Sequence, residues 1–160
     1  MVQKAHETVV LAMEFEKFIN TFESILGRYD PTVAAQISKD ATVADRMFQS
    51  MEGEQNLMMF DRLNHGGLLS LIGQSCNAIR YTVGNPRIAV QMTRHDIRAA
   101  LYVPFNILVI ENHAGSVTVE YDLPSVLLGQ LNNPDILQIA TQLDQKIKGL
   151  LDATVRAETR

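Results

Sequence analysis

The sequence predicts an α+β fold: a single two-layer domain with a mainly antiparallel sheet and helices packed on one face. Three observations support this class. An apolar run at 107–111 is followed by a short loop ending at Gly115 and by the alternating residues Val117, Val119 and Tyr121, which is typical of a β-hairpin. Apolar residues recur at helical spacing near both ends of the chain. Strand-like and helix-like segments alternate irregularly around the hairpin.

The first third of the chain predicts one strand and several helices. A β-branched run within residues 6–13 favours a strand, and the apolar stripe at 15–26 has the spacing of a helix that packs against a core. Residues 31–55 are interpreted as short surface helices followed by a loop, because Asp30 and Asp40 are good helix caps.

The rest of the chain predicts four further strands, at 57–63, 76–83, 107–111 and 116–121. The strand at 107–111 is apolar on both faces, which favours a central place in the sheet. The run Gly84-Asn85-Pro86 is expected to end the third strand, because glycine permits a positive φ and proline fixes φ and donates no hydrogen bond. Helices are predicted at 86–96, at 97–102, at 125–131 and from Asn133 to Leu151, with a polar, frayed tail after Ala153.

Composition excludes several classes of protein. A chain of 160 residues with 46% hydrophobic and 20% charged residues is an ordinary single globular domain, here taken as 1–160. Its net charge of −4 argues against a nucleic-acid partner. Apolar runs are too short to span a membrane, and the N-terminus lacks the apolar core of a signal peptide. Because Cys76 is the only cysteine, no internal disulfide can form. We expect a soluble cytoplasmic protein.

Seven short motifs occur in the order found in one known family. They are Asn64-His65-Gly66-Gly67, Tyr81-Thr82-Val83-Gly84-Asn85-Pro86, Met92-Thr93-Arg94-His95-Asp96, Ala99-Ala100-Leu101-Tyr102-Val103-Pro104, Leu108-Val109-Ile110-Glu111, Tyr121-Asp122-Leu123-Pro124-Ser125 and Gly129-Gln130. With these motifs the chain resembles the domain of unknown function 302 family.

The resemblance covers residues 57–153 well and 6–30 more loosely. Residues 31–55 match nothing in it and are interpreted as a variable helical insertion, and 154–160 as the frayed tail. Membership implies a compact α+β fold with an antiparallel sheet, and a homodimer. The family has no established activity, so the resemblance implies no catalytic residues.

Five residues are candidates for ligand binding: His65, Asn85, Arg94, His95 and Tyr121. His65 stands beside two glycines, where a ligand has room to approach, although a histidine in a turn more often bonds a neighbouring backbone group. Asn85 follows a strand and precedes a helix, where free amides can meet a phosphate; a structural turn is favoured, since Pro86 lacks an amide hydrogen. Tyr121 lies on the predicted hairpin.

Arg94 and His95 belong to the run Arg94-His95-Asp96. An arginine with a carboxylate and an imidazole can bind an anion or transfer a proton. Consecutive helical residues point in different directions, so a helix end with cations near the negative pole is the favoured interpretation.

No metal site or cofactor is predicted. No two of the four histidines lie three or four residues apart, and Cys76 has no ligand-type neighbour at zinc spacing. A haem site is left as an alternative, because the axial ligands of haem need not be close in sequence. His65 and a methionine such as Met59 would supply them.

Three functions remain as hypotheses. The first is a non-catalytic small-ligand-binding or accessory protein, a homodimer with a pocket between the hairpin and the Gly84-Asn85-Pro86 turn. The second is a small enzyme that uses His65 or His95 as acid–base and Arg94 to hold an anionic substrate, which requires these side chains to share one cleft. The third is a purely structural or interaction domain without a pocket.

Overall fold

Six strands form one sheet in the computed structural model, which describes residues 4–113 and 115–158. The strands are β1 His6–Leu11, β2 Gly27–Arg28, β3 Met58–Asn64, β4 Ala78–Gly84, β5 Phe105–Asn112 and β6 Ser116–Asp122. Their order is β1-β6-β5-β4-β3-β2, and every neighbouring pair is antiparallel except β2 with β3. The α+β prediction and the central place of β5 are confirmed.

The helices are α1 Phe15–Ile25, α2 Ala41–Ser50, α3 His65–Leu68, α4 Pro86–Thr93, α5 Pro124–Gly129 and α6 Pro134–Glu158. Short 3₁₀ segments cover Pro31–Gln36, Glu54–Asn56, Leu69–Ile72 and Ile97–Leu101. The predicted caps are confirmed: Asp30 accepts a hydrogen bond from the Thr32 amide, and Asp40 accepts from the amides of Thr42 and Val43. No helix in the described ranges is both long enough and apolar enough to cross a membrane.

The core lies between one face of the sheet and the helices α1 and α6. Phe22 on α1 stacks on Phe18 with ring centroids 5.3 Å apart and meets the Tyr81 ring of β4 at 4.9 Å. Tyr81 and Ile107 are fully buried. The helical stripes predicted at both ends of the chain therefore form the layer that covers this face, which we call the helical face.

The opposite face of the sheet, here called the outer face, carries the alternate residues of the same strands. Arg80 on β4 pairs with Leu108 on β5, which pairs with Glu120 on β6. Glu120 in turn pairs with Thr8 on β1. Since side chains alternate along a strand, this cross-strand row points away from the helical face. Leu108 stays partly exposed.

β4 ends at Gly84, as predicted, but the glycine does not adopt a positive φ. Positive φ among the described glycines occurs at Gly73 and Gly115, not at Gly84. A Cβ on Gly84 would instead come within 3.0 Å of the Pro104 side chain, so the glycine is needed for close approach. β4 also begins at Ala78, two residues later than predicted. Ala114, in the predicted hairpin loop, lies outside the described residues.

The predicted frayed tail is wrong as far as residue 158, because α6 continues to Glu158. Thr154 is fully buried, and its hydroxyl donates to the Leu150 carbonyl at 2.8 Å. Leu151 and Ala153 are buried on the same turns, so the apolar stripe extends further than the polar composition indicated. Residues 159–160 lie outside the described part.

Candidate functional site

A pocket of about 710 Å³ lies over the outer face of the sheet. We call it the sheet pocket. Its apolar lining comes from the sheet and from two neighbouring elements, and includes Ala78, Leu101, Leu108, Ile110 and Leu127. Phe105 and Tyr121, which otherwise belong to the core, also line it. The hairpin thus lines the pocket as predicted, whereas the Gly84-Asn85-Pro86 turn does not.

Two connections border the pocket. His65 and Cys76 line it from the segment between β3 and β4, and Leu101, Tyr102 and Pro104 line it from the segment between α4 and β5. The two ends of the first connection pack closely at the start of β4 because Gly66 has no side chain: a Cβ there would come within 2.1 Å of the Cys76 carbonyl and 2.8 Å of the Ala78 amide nitrogen.

Among the residues that line the sheet pocket, Arg80 has a buried side-chain donor without a partner in the described structure. Its Nε is buried and has no hydrogen-bond partner among the described residues. It lies in the row between Leu63 and Leu108, neither of which can accept a hydrogen bond through its side chain. A buried unsatisfied donor is rare in folded proteins and calls for an explanation.

An ion-pair cluster of His6, Glu120 and Asp122 lies on the β1–β6 side of the pocket. The His6 Nδ1 is 2.9 Å from Asp122 Oδ1, and Nε2 contacts Glu120 Oε2. Thr8 Oγ1 donates to the same Glu120 oxygen at 2.8 Å. The hydrogen bonds with Asp122 and then Glu120 raise the pKa of His6. The hydrogen bond from Thr8, together with the one from the His6 imidazole, lowers the pKa of Glu120.

Two of the five predicted ligand-binding residues line the sheet pocket. His65 does so from the start of α3, where it is half-buried. The cap of that helix is not His65 but Asn64, whose Oδ1 accepts from the Gly67 amide at 2.8 Å. Tyr121 lines the pocket from β6, and burial, reinforced by the charges of Glu7 and Asp144, raises its pKa.

Asn85 lies elsewhere, and its side chain is used within the fold. Its Nδ2 donates to Glu52 Oε1 at 2.8 Å and to the Asn56 carbonyl at 2.7 Å, while its Oδ1 accepts from the Arg87 amide at 2.9 Å. Arg87 Nη1 also donates to Glu52 Oε1, at 2.8 Å. Burial alone would raise the pKa of Glu52, but these hydrogen bonds outweigh it and lower that pKa.

Arg94 and His95 also lie away from the sheet pocket. Arg94 is exposed directly after the last residue of α4, and His95 Nδ1 is 3.9 Å from Asp135 Oδ2. Asp96 accepts from the Arg98 amide at 2.9 Å and pairs with the Arg98 guanidinium at 2.7 Å. The run therefore does not converge on one point, and His65 shares no pocket with Arg94 or His95 in the described structure.

Metal and haem ligands do not converge in the described structure either. Within residues 4–113 and 115–158 no group of three or more His, Cys, Asp or Glu side chains is arranged to hold a metal ion. Met59, considered with His65 as a haem ligand, is buried in the core cluster and does not line the sheet pocket.

Sequence reasoning missed Arg80, His6 and Glu120. The alternation of β4 predicts that Arg80 lies on the face opposite Ile79 and Tyr81, but its lack of a partner depends on the residues of the neighbouring strands. Nothing local indicates that β1 pairs with β6, which brings together residues 116 positions apart.

The fold and the site define a class: a small α+β protein whose sheet is covered by helices on one face and carries a ligand-sized pocket on the other. The chain belongs to the family described as "Domain of unknown function DUF302", whose model matches residues 32–154. That match begins at residue 32 and so includes nearly all of the segment interpreted as an insertion.

A solved structure is similar over almost the whole chain. It is the crystal structure of an uncharacterized conserved DUF302 protein from Bacillus stearothermophilus, with a TM-score of 0.67 and 16% sequence identity, covering 95% of this chain and 99% of that one. At this identity the likeness supports the fold alone. A comparison with curated proteins finds no match.

Proposed function

We propose that this protein is a non-catalytic binding protein that holds a small ligand in the sheet pocket and acts as a homodimer in the cytoplasm. One observation carries the proposal: a volume of about 710 Å³ over an apolar floor on an otherwise open sheet face. Pockets that bind small molecules commonly enclose about 300–1,000 Å³ and combine apolar walls with a few polar groups.

The floor of the pocket supports ligand binding because it is apolar, whereas the open face of an antiparallel sheet is usually polar. Antiparallel sheets with one solvated face alternate apolar residues inward and polar residues outward. Here Leu108 and Ile110 face outward at the centre of the sheet and stay partly exposed. Covering such surface is favourable by about 25 cal/mol per Å². A ligand lying across β4 and β5 would gain this free energy.

The two alternative functions have less support. An enzyme using His65 or His95 with Arg94 needs one shared cleft, and only His65 lines the sheet pocket. A purely structural domain needs no pocket, whereas the sheet pocket has the volume of a ligand site.

The connections bordering the pocket support the homodimer. The first carries Leu71 and Ile72, which are 84% and 68% exposed, and the second carries Ile97, which is 74% exposed. Exposed apolar side chains such as these are candidates for an interaction surface. The exposed, unpaired Cys76 fits a reducing compartment such as the cytoplasm.

The dimer is tested by light scattering coupled to size-exclusion chromatography over a range of concentrations. Leu71→Lys should convert a dimer into a monomer, because it places a charge in the apolar contact. Val90→Lys is the matched control, since Val90 is 54% exposed but lies on α4, which packs against α6. A monomeric wild-type protein at all concentrations would refute the dimer.

Ligand binding is tested by native mass spectrometry and an absorption spectrum of the protein as purified, followed by a small-molecule screen. Ile110→Trp fills the sheet pocket and should abolish retained or added ligand. Val10→Trp is the control, because Val10 lies in the same cross-strand row on the outer face but does not line the pocket. Binding that survives Ile110→Trp would place the ligand elsewhere and overturn the proposal.

A further inference from the structure

We infer that the sheet pocket binds a small amphipathic carboxylate, with the carboxylate held by Arg80 and the apolar part over Leu108 and Ile110. The inference rests on the proposed function, since it requires the pocket to hold a ligand. It adds the chemical class of that ligand and the residue that selects it.

Arg80 has hydrogen-bonding capacity that no residue of the described structure uses. Arg80 lines the pocket, its Nε is buried without a partner, and it forms no ion pair with a described residue. Two arginines outside the pocket differ: Arg62 pairs with Glu23 at 2.6 Å, and Arg87 pairs with Glu52 at 2.8 Å. A partly buried guanidinium without an acid is costly unless something supplies the acceptor.

The shape of the guanidinium favours a carboxylate as that acceptor. Arginine presents its N–H groups in a planar fork, and a carboxylate meets two of them through parallel hydrogen bonds. Such charge-assisted pairs are stronger than neutral hydrogen bonds, and more so in a pocket that excludes water.

The acidic cluster sets the orientation of the ligand. Arg80 and Glu120 lie in one row with Leu108 between them, two strand spacings or about 10 Å apart. Glu120 and Asp122 already accept hydrogen bonds from His6 and Thr8, so this side needs no ligand group. With two carboxylates and one imidazole, this side of the pocket carries a net negative charge and repels an anion. The carboxylate of the ligand therefore binds at the Arg80 side.

The floor accepts the apolar part of the molecule. From Arg80, Leu108 is the next residue across the sheet, and Ile110 is two residues further along β5 on the same face. Leu101 adds an apolar side chain from the bordering connection. A chain or ring of about eight carbons fits easily within a site of about 710 Å³.

The first test uses the wild-type protein and three probes with the same apolar chain: octanoate, octanol and octylamine. Affinities are measured by isothermal titration calorimetry at pH 7.5, and amide chemical shifts locate the bound probe. We expect octanoate to bind about tenfold or more tighter than octanol, with octylamine weakest, and the largest shifts at Leu108 and Ile110.

The second test changes Arg80. Arg80→Gln should weaken octanoate about tenfold or more and leave octanol within about twofold. Arg80→Lys keeps the positive charge but not the planar set of guanidinium N–H groups, so its loss of octanoate affinity should be intermediate. Arg94→Gln changes the net charge equally at an exposed position outside the pocket, so it should bind octanoate like the wild type. Circular dichroism checks that each variant is folded.

The outcomes separate this inference from the proposed function. Equal binding of octanoate and octanol, unaffected by Arg80→Gln, would overturn the carboxylate assignment and leave a binding pocket. Preference for octylamine would also overturn it, since the acidic cluster would then select the ligand. If no probe bound and Ile110→Trp changed no retained ligand, both the inference and the proposed function would fail.

Discussion

Ile107 and Leu108 are neighbours on β5, yet they face opposite environments: Ile107 is fully buried under the helices, whereas Leu108 is partly exposed in the floor of the sheet pocket. The polar groups on the two sides differ in the same way. Asn85, at the end of β4 on the helical side, has all its amide hydrogen bonds satisfied, whereas Arg80 on the outer face has a buried Nε without a partner. The helical side also has one buried polar atom without a partner among the described residues, the Tyr81 hydroxyl, but its apolar surface is covered by the helices. The outer face has both apolar surface and hydrogen-bonding capacity left over.

The largest loss of stability is expected from truncating Ile107, and the comparison is with the truncation of its neighbour Leu108. Ile107→Ala should lower the free energy of unfolding by about 2–5 kcal/mol, because it removes a fully packed side chain and leaves a cavity. Leu108→Ala should cost about 1 kcal/mol or less, because that side chain is partly hydrated in the folded state. Urea unfolding followed by circular dichroism measures both. Equal losses would show that the outer face is covered in solution, and a dependence on protein concentration would identify a second copy as the cover.

A smaller effect is expected from removing the satisfied amide on the helical side. Asn85→Ala should destabilise by about 2–3 kcal/mol, because it removes a helix cap and also takes a donor from the partly buried Glu52 carboxylate. Asp40→Ala is the matched control. It removes only the cap of α2 and should cost about 1 kcal/mol in the same urea titration. If the two losses were equal, the contacts of Asn85 with Glu52 and Asn56 would contribute nothing to stability.

Much of the division between the two faces follows from sequence periodicity. The alternation in β4, β5 and β6 separates the buried Val117, Val119 and Tyr121 from the residues between them, and the stripes of α1 and α6 identify the covering layer. Asp30 and Asp40 were predicted as caps because capping is a local interaction.

The site could not be predicted in the same way, because it depends on pairings between distant residues. Asn85 and Arg94 were selected for their residue type beside turns, but only the fold shows that the Asn85 amide is consumed by Glu52 and Asn56, 33 and 29 residues away. The sequence around Arg80 does not indicate that its guanidinium lacks an acidic partner. That becomes visible only when the register places Leu63 and Leu108 on either side of it.

The smallest effect concerns the acidic side of the sheet pocket, where His6 joins β1 to β6. Its pKa is raised above the ordinary value of 6.5 by Asp122 and Glu120, so the protonated form is favoured in the folded state. The stabilisation it provides is complete below pH 6.5 and is lost as the pH rises through the folded-state pKa. Glu120, whose pKa is lowered from 4.5, stays ionised as a partner throughout this range.

We therefore expect the urea midpoints of the wild type and His6→Gln to differ at pH 6 and to converge at pH 9. Added salt should shrink the difference, because the pair is exposed and screened. His113→Gln, an imidazole change at the hairpin loop, controls for the general effect of losing a histidine, and an NMR titration of the His6 ring should give an apparent pKa above 6.5. A difference that grew with pH would mean that His6 holds β1 through its neutral form. The acidic side would then keep the full charge of both carboxylates, and repulsion of an anionic ligand from it would be stronger than the ion pair implies.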